Sequence, residues 1–158
     1  MRILSLALMM SVVAIPAMAQ TAAPRKDFLS AADIQALVAK AKADRKGESP
    51  TTTEAMLGLD KYQVNLEYRP IPAPANLHRI ENELMVVLEG SGTVSVGGTM
   101  AAPTEIDANN QRSPTIKDGK ERPFAKGDVL MIPSNTPHQI TAVKETMVLM
   151  TMRLPAGN

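Results

Sequence analysis

Two histidines and one glutamate carry the chemistry that this sequence can support. His78 and Glu83 are five positions apart, and His138 lies sixty positions beyond His78. The sequence has no third histidine and no cysteine, so a metal bound here needs nitrogen and oxygen ligands rather than thiolates. Two neutral imidazoles and one carboxylate leave open positions on an octahedral metal, where dioxygen or a substrate can bind. The spacing therefore predicts one metal centre at His78, Glu83 and His138.

The segments around these three residues explain how they could meet. Asn76 precedes His78 by two positions, so both side chains leave the same face of a strand. Residues 79–82 can reverse the chain, which would place Glu83 on the neighbouring antiparallel strand, opposite His78. His138 would open a further strand just after the proline-rich turn at 133–137. The competing interpretation is structural, because a strand histidine is more often held by hydrogen bonds than by a metal. A Ser-His-Asp triad is excluded, since both histidines belong to the predicted metal group.

Alternating hydrophobicity begins near residue 60 and predicts strands. Tyr62, Val64, Leu66 and Tyr68 alternate with polar residues, as in a half-buried strand. Gly-rich and Pro-rich segments separate the other candidates, and many short strands with such turns favour an all-β barrel or sandwich. The other predicted strands are Leu84–Glu89, Thr93–Val96, Asp128–Ile132, His138–Val143 and Thr146–Leu154.

The strand 146–154 has large apolar residues on both faces, with Met147 and Leu149 against Met150 and Met152. Such a strand needs cover on both sides. The N-terminal helix or a second subunit could provide it.

Residues 98–126 show no clear periodicity of apolar and polar residues. This stretch is polar and contains three prolines. Long connections inside a compact domain are uncommon and often form a lid or a binding loop. A surface excursion and a pair of irregular strands are the alternatives.

The N-terminal third divides into a leader, a tether and a helix. Residues 3–15 are uninterruptedly apolar and precede Pro16 and a small-x-small sequence at 17–19, which predicts a cleaved signal peptide over residues 1–19 and a periplasmic or secreted protein. The run is shorter than the roughly 18–20 residues that a membrane-spanning helix needs. Residues 20–59 then hold a tether and an amphipathic helix over 31–46, with Ser30 as its N-cap and Gly47 as its end.

The charge balance excludes two classes of partner. Cleavage removes Arg2, so Lys and Arg fall from 17 to 16 against 16 Asp and Glu. A net charge near zero indicates neither nucleic-acid binding nor anchoring to a membrane after cleavage. An aromatic content of 3% also argues against a stacking platform for bases.

The spacing of the site residues resembles the two motifs of the cupin superfamily, G-x5-H-x-H-x3-4-E-x6-G and G-x5-P-x-G-x2-H-x3-N. Several positions agree at fixed offsets over residues 70–142. In this chain the motifs read Pro70-x5-Asn76-x-His78-x4-Glu83-x6-Gly90 and Gly127-x5-Pro133-x-Asn135-x2-His138-x3-Ala142.

Two of the four departures from these motifs bear on the structure of the site. Asn135 replaces a glycine, and asparagine tolerates the left-handed backbone conformation. Asn76 replaces the first ligand histidine, and its amide oxygen is a weaker donor than imidazole for a late transition metal. Asn76 is therefore a doubtful fourth ligand. Pro70 and Ala142 are the other two departures.

The resemblance implies a single-domain, secreted cupin of the cupin 2-like kind. Its all-β double-stranded β-helix, or jelly-roll barrel, would cover residues 60–155 behind one N-terminal helix. The expected pocket is mostly aliphatic, with Met85, Val87, Tyr68 and Ile140 as its candidate residues.

The resemblance also implies a range of activities. Among cupin enzymes it allows dioxygenase, isomerase and lyase reactions on a small molecule, and the open N,N,O site slightly favours a dioxygenase. The cofactor would be one divalent transition metal, with iron or manganese favoured over zinc or nickel. A homodimer is also implied. The alternatives are a non-catalytic module that binds a metal or small molecule, an antioxidant activity of bound manganese, and a cupin that has lost its metal.

Overall fold

Residues 26–157 are described by a computed structural model, which shows a β-barrel with one helix against its outside. The predicted signal peptide, residues 1–19, and the first part of the tether lie outside these residues. Within them, no helix is long and apolar enough to span a membrane. In chain order the elements are α1 (Ala31–Ala43), β1 (Thr52–Leu59), β2 (Tyr62–Arg69), β3 (Ala75–His78), β4 (Glu81–Val96), β5 (Thr99–Met100), β6 (Thr104–Asp107), β7 (Asn110–Ser113), β8 (Ile116–Lys117), β9 (Lys120–Ala125), β10 (Val129–Ile132) and β11 (His138–Pro155).

Two long antiparallel strands form the frame of the barrel. Strands β4 and β11 are 16 and 18 residues long and pair with each other along most of their length, with bulges that bend them. Strand β11 also pairs with β2 and β3, while β4 also pairs with β9 and β10. These pairings confirm the predicted all-β jelly-roll fold with one N-terminal helix. The sheet begins earlier than residue 60, because β1 pairs with β2 from Thr52 onwards.

The apolar residues form an inner core and an outer core on opposite faces of β11. Met147 and Leu149 are fully buried in the inner core, inside the barrel. Val148 and Met150 belong to the outer core, where they pack with Leu37 and other apolar residues of α1. The helix therefore covers the part of the second apolar face that carries Val148 and Met150.

The helix begins as predicted and ends three residues early. Ser30 and Asp33 form a reciprocal capping box, in which the Ser30 hydroxyl accepts from the Asp33 N–H at 3.2 Å and Asp33 accepts from the Ser30 N–H at 2.9 Å. The last helical residue is Ala43, and the N–H of Asp44 still donates to the Lys40 carbonyl. Gly47 has the predicted left-handed conformation, with φ of +53°, but it lies beyond the helix rather than directly at its end.

Replacing Ser30 by alanine tests the contribution of this cap. Loss of an N-cap side chain lowers the free energy of unfolding by about 1 kcal/mol. We therefore expect Ser30→Ala to lower the urea midpoint without changing the slope of the transition. Ser30→Thr keeps the hydroxyl acceptor and should unfold close to the wild type. A midpoint for Ser30→Ala equal to that of Ser30→Thr would contradict this account of the helix start.

The stretch 98–126 is built from five short strands, β5 to β9, so the alternative of irregular strands describes it best. Strand β7 is the part that matters for the site, because it pairs antiparallel with β3 and places Asn110 opposite His78 and Arg112 opposite Asn76. Directly opposed residues of paired strands share one face of the sheet. This stretch therefore sends two polar side chains towards the predicted metal ligands.

Candidate metal centre

The three predicted ligands come together inside the barrel from three different strands. His78 is the last residue of β3, Glu83 lies near the start of β4, and His138 is the first residue of β11. All three side chains are buried, with 6%, 5% and 3% exposure. They form a group whose ligand atoms lie within 4.8 Å of one another.

The route by which His78 and Glu83 meet differs from the predicted one. Within the described residues, β3 pairs with β7 and β11, and β4 pairs with β9, β10 and β11, so the two strands are not a hairpin. The expectation that Glu83 starts the antiparallel neighbour of β3 was wrong. The segment between them leads the chain across to other strands, so the two side chains face each other through the barrel interior.

The turn before β11 fixes the position of His138. Asn135 adopts the left-handed conformation with φ of +56°, as its replacement of a motif glycine predicts. Its backbone N–H donates to the carbonyl of His78 at 2.6 Å, and the N–H of Ser134 donates to the Asn82 side chain at 2.9 Å. The turn is thus bonded directly to β3 and to the start of β4, which brings His138 beside the other two residues.

One oxygen atom lies at the centre of the group. Glu83 Oε2 is 2.9 Å from His138 Nε2 and 3.3 Å from His78 Nε2. The two imidazole rings have centroids 5.3 Å apart and are tilted by 47°. The Nε2 atoms of both rings therefore point to the same carboxylate oxygen.

Asn110 determines which nitrogen of His78 carries the proton. The Asn110 amide nitrogen donates to both carboxylate oxygens of Asp107 at 2.8 Å, which orients the amide so that its oxygen faces His78 Nδ1 at 2.6 Å. An amide oxygen only accepts hydrogen bonds, so Nδ1 of His78 must donate. In the neutral ring the Nε2 atom is then a bare acceptor, as a metal ligand requires.

The same assignment holds for His138. Its Nδ1 atom lies 3.2 Å from the backbone carbonyl of Thr136, which can only accept. Three acceptor atoms therefore converge in a buried space, and two of them, Glu83 Oε2 and His138 Nε2, have no hydrogen-bond partner among the described residues. Buried polar atoms without partners are costly, and a cation between them removes that cost. The donor set thus fits a metal ion.

The carboxylate remains ionised in this setting. Burial by itself raises the pKa of Glu83, but the close contacts of the carboxylate with His138 and His78 outweigh burial and hold the pKa well below its usual range. The direction follows from the two imidazoles facing one oxygen, and a charged carboxylate is the form that binds a metal.

Asn76 lies beside this group but is not one of its three converging residues. It is half-buried on β3 and is paired in register with His138 on one side and Arg112 on the other. It lines the cavities next to the site rather than bonding to the carboxylate. Its role as a fourth ligand stays a prediction.

Two of the four predicted pocket residues lie next to the site. Met85 and Ile140 line a small cavity together with His138. Val87 is fully packed in the inner core, and Tyr68 packs in the outer core near the helix. Tyr68 was therefore assigned to the wrong face of its strand.

The space beside the site is polar, which corrects the prediction of an aliphatic pocket. A cavity of about 500 Å³ is lined by Asn76 and three arginines, and a cavity of about 400 Å³ is lined by Glu83 and other charged residues. Both share Glu67 and Arg153. The reason is that the polar side chains of β2, Gln63 to Arg69, face the barrel opening and the apolar ones face the helix.

Sequence reasoning did not find Asn110, Arg112 or Arg153 as site residues. The first two lie in the stretch without a period, and each faces the site only because β7 pairs with β3. Arg153 lies opposite Glu83 in the β4–β11 ladder. The alternation of β2 did hold a signal for Arg69 and Glu67, but it does not say which face lines a cavity.

Comparison with known proteins gives matches at the level of the fold. No model of a protein family matches the chain, and no curated protein sequence matches it significantly. A protein of Bacillus halodurans has a similar structure, with 16% identity, a TM-score of 0.51 and coverage of 84% of each chain. FeII HppE aligns with 16% identity and a TM-score of 0.51 over 70% of this chain and 54% of its own, so the chain spans about half its length. The cupin domain of Schizosaccharomyces pombe Cnp3 aligns with 12% identity and a TM-score of 0.49 over 72% and 71%.

Proposed function

We propose that this chain, whose barrel has the cupin fold, binds one divalent transition metal through His78, Glu83 and His138 and acts on a small molecule as a metal-dependent enzyme. One observation carries the proposal. Three buried acceptor atoms converge, each imidazole has its Nδ1 proton committed elsewhere, and two of the acceptors have no donor among the described residues. A cation between these atoms satisfies the arrangement, and the hydrogen bonds behind the imidazoles are those that orient metal ligands.

Iron or manganese fits the donor set best, and zinc and nickel fit it as well. Two imidazoles and one carboxylate are typical of non-haem iron(II) sites. The fold is compatible with that ion, since the structurally similar HppE is named with iron(II). When bound, the metal would act as a Lewis acid or bind dioxygen. The protein supplies the ligands, the fixed tautomers of both imidazoles and a polar cavity for the substrate.

A dioxygenase-like reaction is favoured over isomerase- and lyase-like ones, because three protein ligands leave coordination positions free. Glu83 also lines the cavity of about 400 Å³, so a ligand in that cavity would lie beside the group. The alternative is a non-catalytic module that binds a metal or a small molecule through the same residues. Periplasmic action rests on residues 1–19, and that location and the homodimer remain predictions.

Water access to the bound metal tests the catalytic proposal. The full chain is loaded with Mn²⁺, and the longitudinal relaxation of water protons is measured against free Mn²⁺ and against the Glu83→Ala variant. We expect the bound ion to enhance relaxation several-fold, because water occupies its open positions and exchanges. Bound Mn²⁺ without enhancement would mean a closed coordination sphere, which would overturn the catalytic proposal in favour of the alternative.

Replacing Asn110 by alanine should weaken metal binding without removing a ligand. Loss of a hydrogen-bond partner behind a metal-binding histidine typically costs about 10- to 100-fold in affinity. The affinity is measured by competition with a chromophoric chelator. Asn109→Ala is the matched control, because within residues 26–157 its side chain makes no hydrogen bond or ion pair with the group. Equal affinities of the two variants would show that Asn110 does not orient His78.

A further inference from the structure

We infer that the cavity beside Asn76 binds an oxyanion group of the substrate, a carboxylate or a phosphate, through Arg112 and Arg153. The inference deepens the proposed function, and rests on it, because it assigns the substrate class of the same site. Its physical basis is the position of two arginines, the size of the cavity and the excess of positive charge among the residues that line it.

Strand register places each arginine next to a residue of the site. Arg112 on β7 is directly opposite Asn76 on β3, and Arg153 on β11 is directly opposite Glu83 on β4. Opposed residues share a face of the sheet, so both guanidinium groups extend from the inner face at the open end of the barrel. They reach the cavity beside Asn76 from two different strands.

The cavity has the size of a small-molecule site. Its volume of about 500 Å³ lies within the usual range for such sites. Arg153, Glu67 and Thr53 line both this cavity and the one of about 400 Å³ that reaches Glu83. The two cavities are therefore adjacent, and a molecule held by Arg112 and Arg153 in the first lies beside the one that Glu83 lines.

The charges in the first cavity are unbalanced. Three arginines and Glu67 line it, which leaves two positive charges without a counterpart. Arg69 is already bound, because its Nε and Nη2 atoms lie 2.8 and 2.7 Å from Glu67 Oε2 and its side chain is only 7% exposed. The remaining positive charge therefore belongs to Arg112 and to Arg153, which is paired only at long range, 3.7 Å, with Glu81 of the second cavity.

These two arginines are available to a ligand. Among the described residues, the Arg112 side chain makes no hydrogen bond or ion pair, and it is exposed. Arg153 has only long contacts, 3.7 Å to Glu81 Oε2 and 3.5 Å to Asn110 Oδ1, and its side chain is 47% exposed. Guanidinium groups bind carboxylate and phosphate in two-pronged geometry, so an oxyanion is the ligand that this pair recognises. A neutral or cationic molecule would leave the Arg112 charge without a partner and the Arg153 charge only weakly paired.

The test is a calorimetric titration of the full chain, metal-loaded and metal-free, in a low-salt buffer with three probes. Succinate and inorganic phosphate are the anionic probes and distinguish the two kinds of oxyanion; succinamide is the neutral analogue. We expect at least one anion to bind the metal-loaded wild type, at least 10-fold tighter than succinamide. We expect Arg112→Gln and Arg153→Gln each to weaken that anion at least 10-fold. Arg122→Gln is the control, because Arg122 is exposed on β9 and lines neither cavity.

Failure of the inference and failure of the metal proposal give different results. The metal content of the same variants is measured in parallel, and the circular dichroism melting curve verifies that each is folded. A wild-type chain that binds metal but neither anion overturns the inference alone. An anion that binds the wild type and both variants equally does the same. A chain that binds the anion through these arginines but takes up no metal overturns the metal proposal and leaves the oxyanion site standing.

Discussion

Glu83→Gln will lose its metal while remaining folded. The substitution removes the only negative charge of the group, and it replaces an acceptor oxygen by an amide that can donate to His138 Nε2, which lies 2.9 Å from Glu83 Oε2. The new amide then provides a hydrogen-bond donor for His138 Nε2, which no longer needs a cation. We expect the metal affinity to fall on the order of 100-fold or more, because a charged ligand is lost from the metal's own coordination sphere.

Glu81→Gln is the matched control for this experiment. Glu81 lies two positions earlier on the same strand and lines the same cavity as Glu83, but it does not belong to the converging group. Elemental analysis of both variants after metal supplementation should show metal in Glu81→Gln and almost none in Glu83→Gln. A full complement of metal in Glu83→Gln would mean that the ligand assignment is wrong.

Gly90→Ala will strongly destabilise the barrel frame. Gly90 is the last residue of the segment that resembles the first cupin motif, and it has φ of +79°. A β-carbon there would lie 2.1 Å from the backbone oxygen and 2.7 Å from the backbone carbon of Thr146, so β4 and β11 would have to separate. The backbone atoms of Thr146 cannot move aside as the end of a flexible side chain can. We expect a loss of at least about 3 kcal/mol in the free energy of unfolding, measured by urea denaturation.

Gly97→Ala separates the clash from the conformational effect. Its φ of +80° is almost the same as that of Gly90, but no atom lies within 4 Å of the position of its added β-carbon. Gly97→Ala should lower the free energy of unfolding by only about 1–2 kcal/mol, the usual penalty of a left-handed conformation for a residue other than glycine. Similar losses of unfolding free energy in both variants would show that the close approach of Gly90 to Thr146 adds nothing to the cost of the substitution.

The sequence was a good guide where a local pattern carries the information. Period-two alternation revealed the strands, because one face of each is buried, and the fixed offsets of the two cupin motifs predicted the barrel and the meeting of His78, Glu83 and His138. Asn135 could be expected to take a left-handed conformation, because its chemistry tolerates one. Each of these features depends on residues that are near in sequence or fixed by a motif.

The errors occurred where a distant strand decides the outcome. The segment between His78 and Glu83 looked like a hairpin turn, yet the two strands pair with other partners. Tyr68 was assigned to the pocket although its strand turns its apolar face to the helix, and the polar face of the same strand makes the cavity charged instead of aliphatic. Asn110 and Arg112 became visible only through the pairing of β7 with β3, which no local pattern encodes.

Elemental analysis of the purified full chain, before and after supplementation with iron(II), manganese(II) or zinc(II), is the most direct test of the metal centre. We predict about one divalent transition-metal ion per chain, as expected for a group that offers one set of two imidazoles and one carboxylate. The wild type should lose this ion when His78, Glu83 or His138 is replaced. A chain that holds no metal in the native and the supplemented samples would contradict the account.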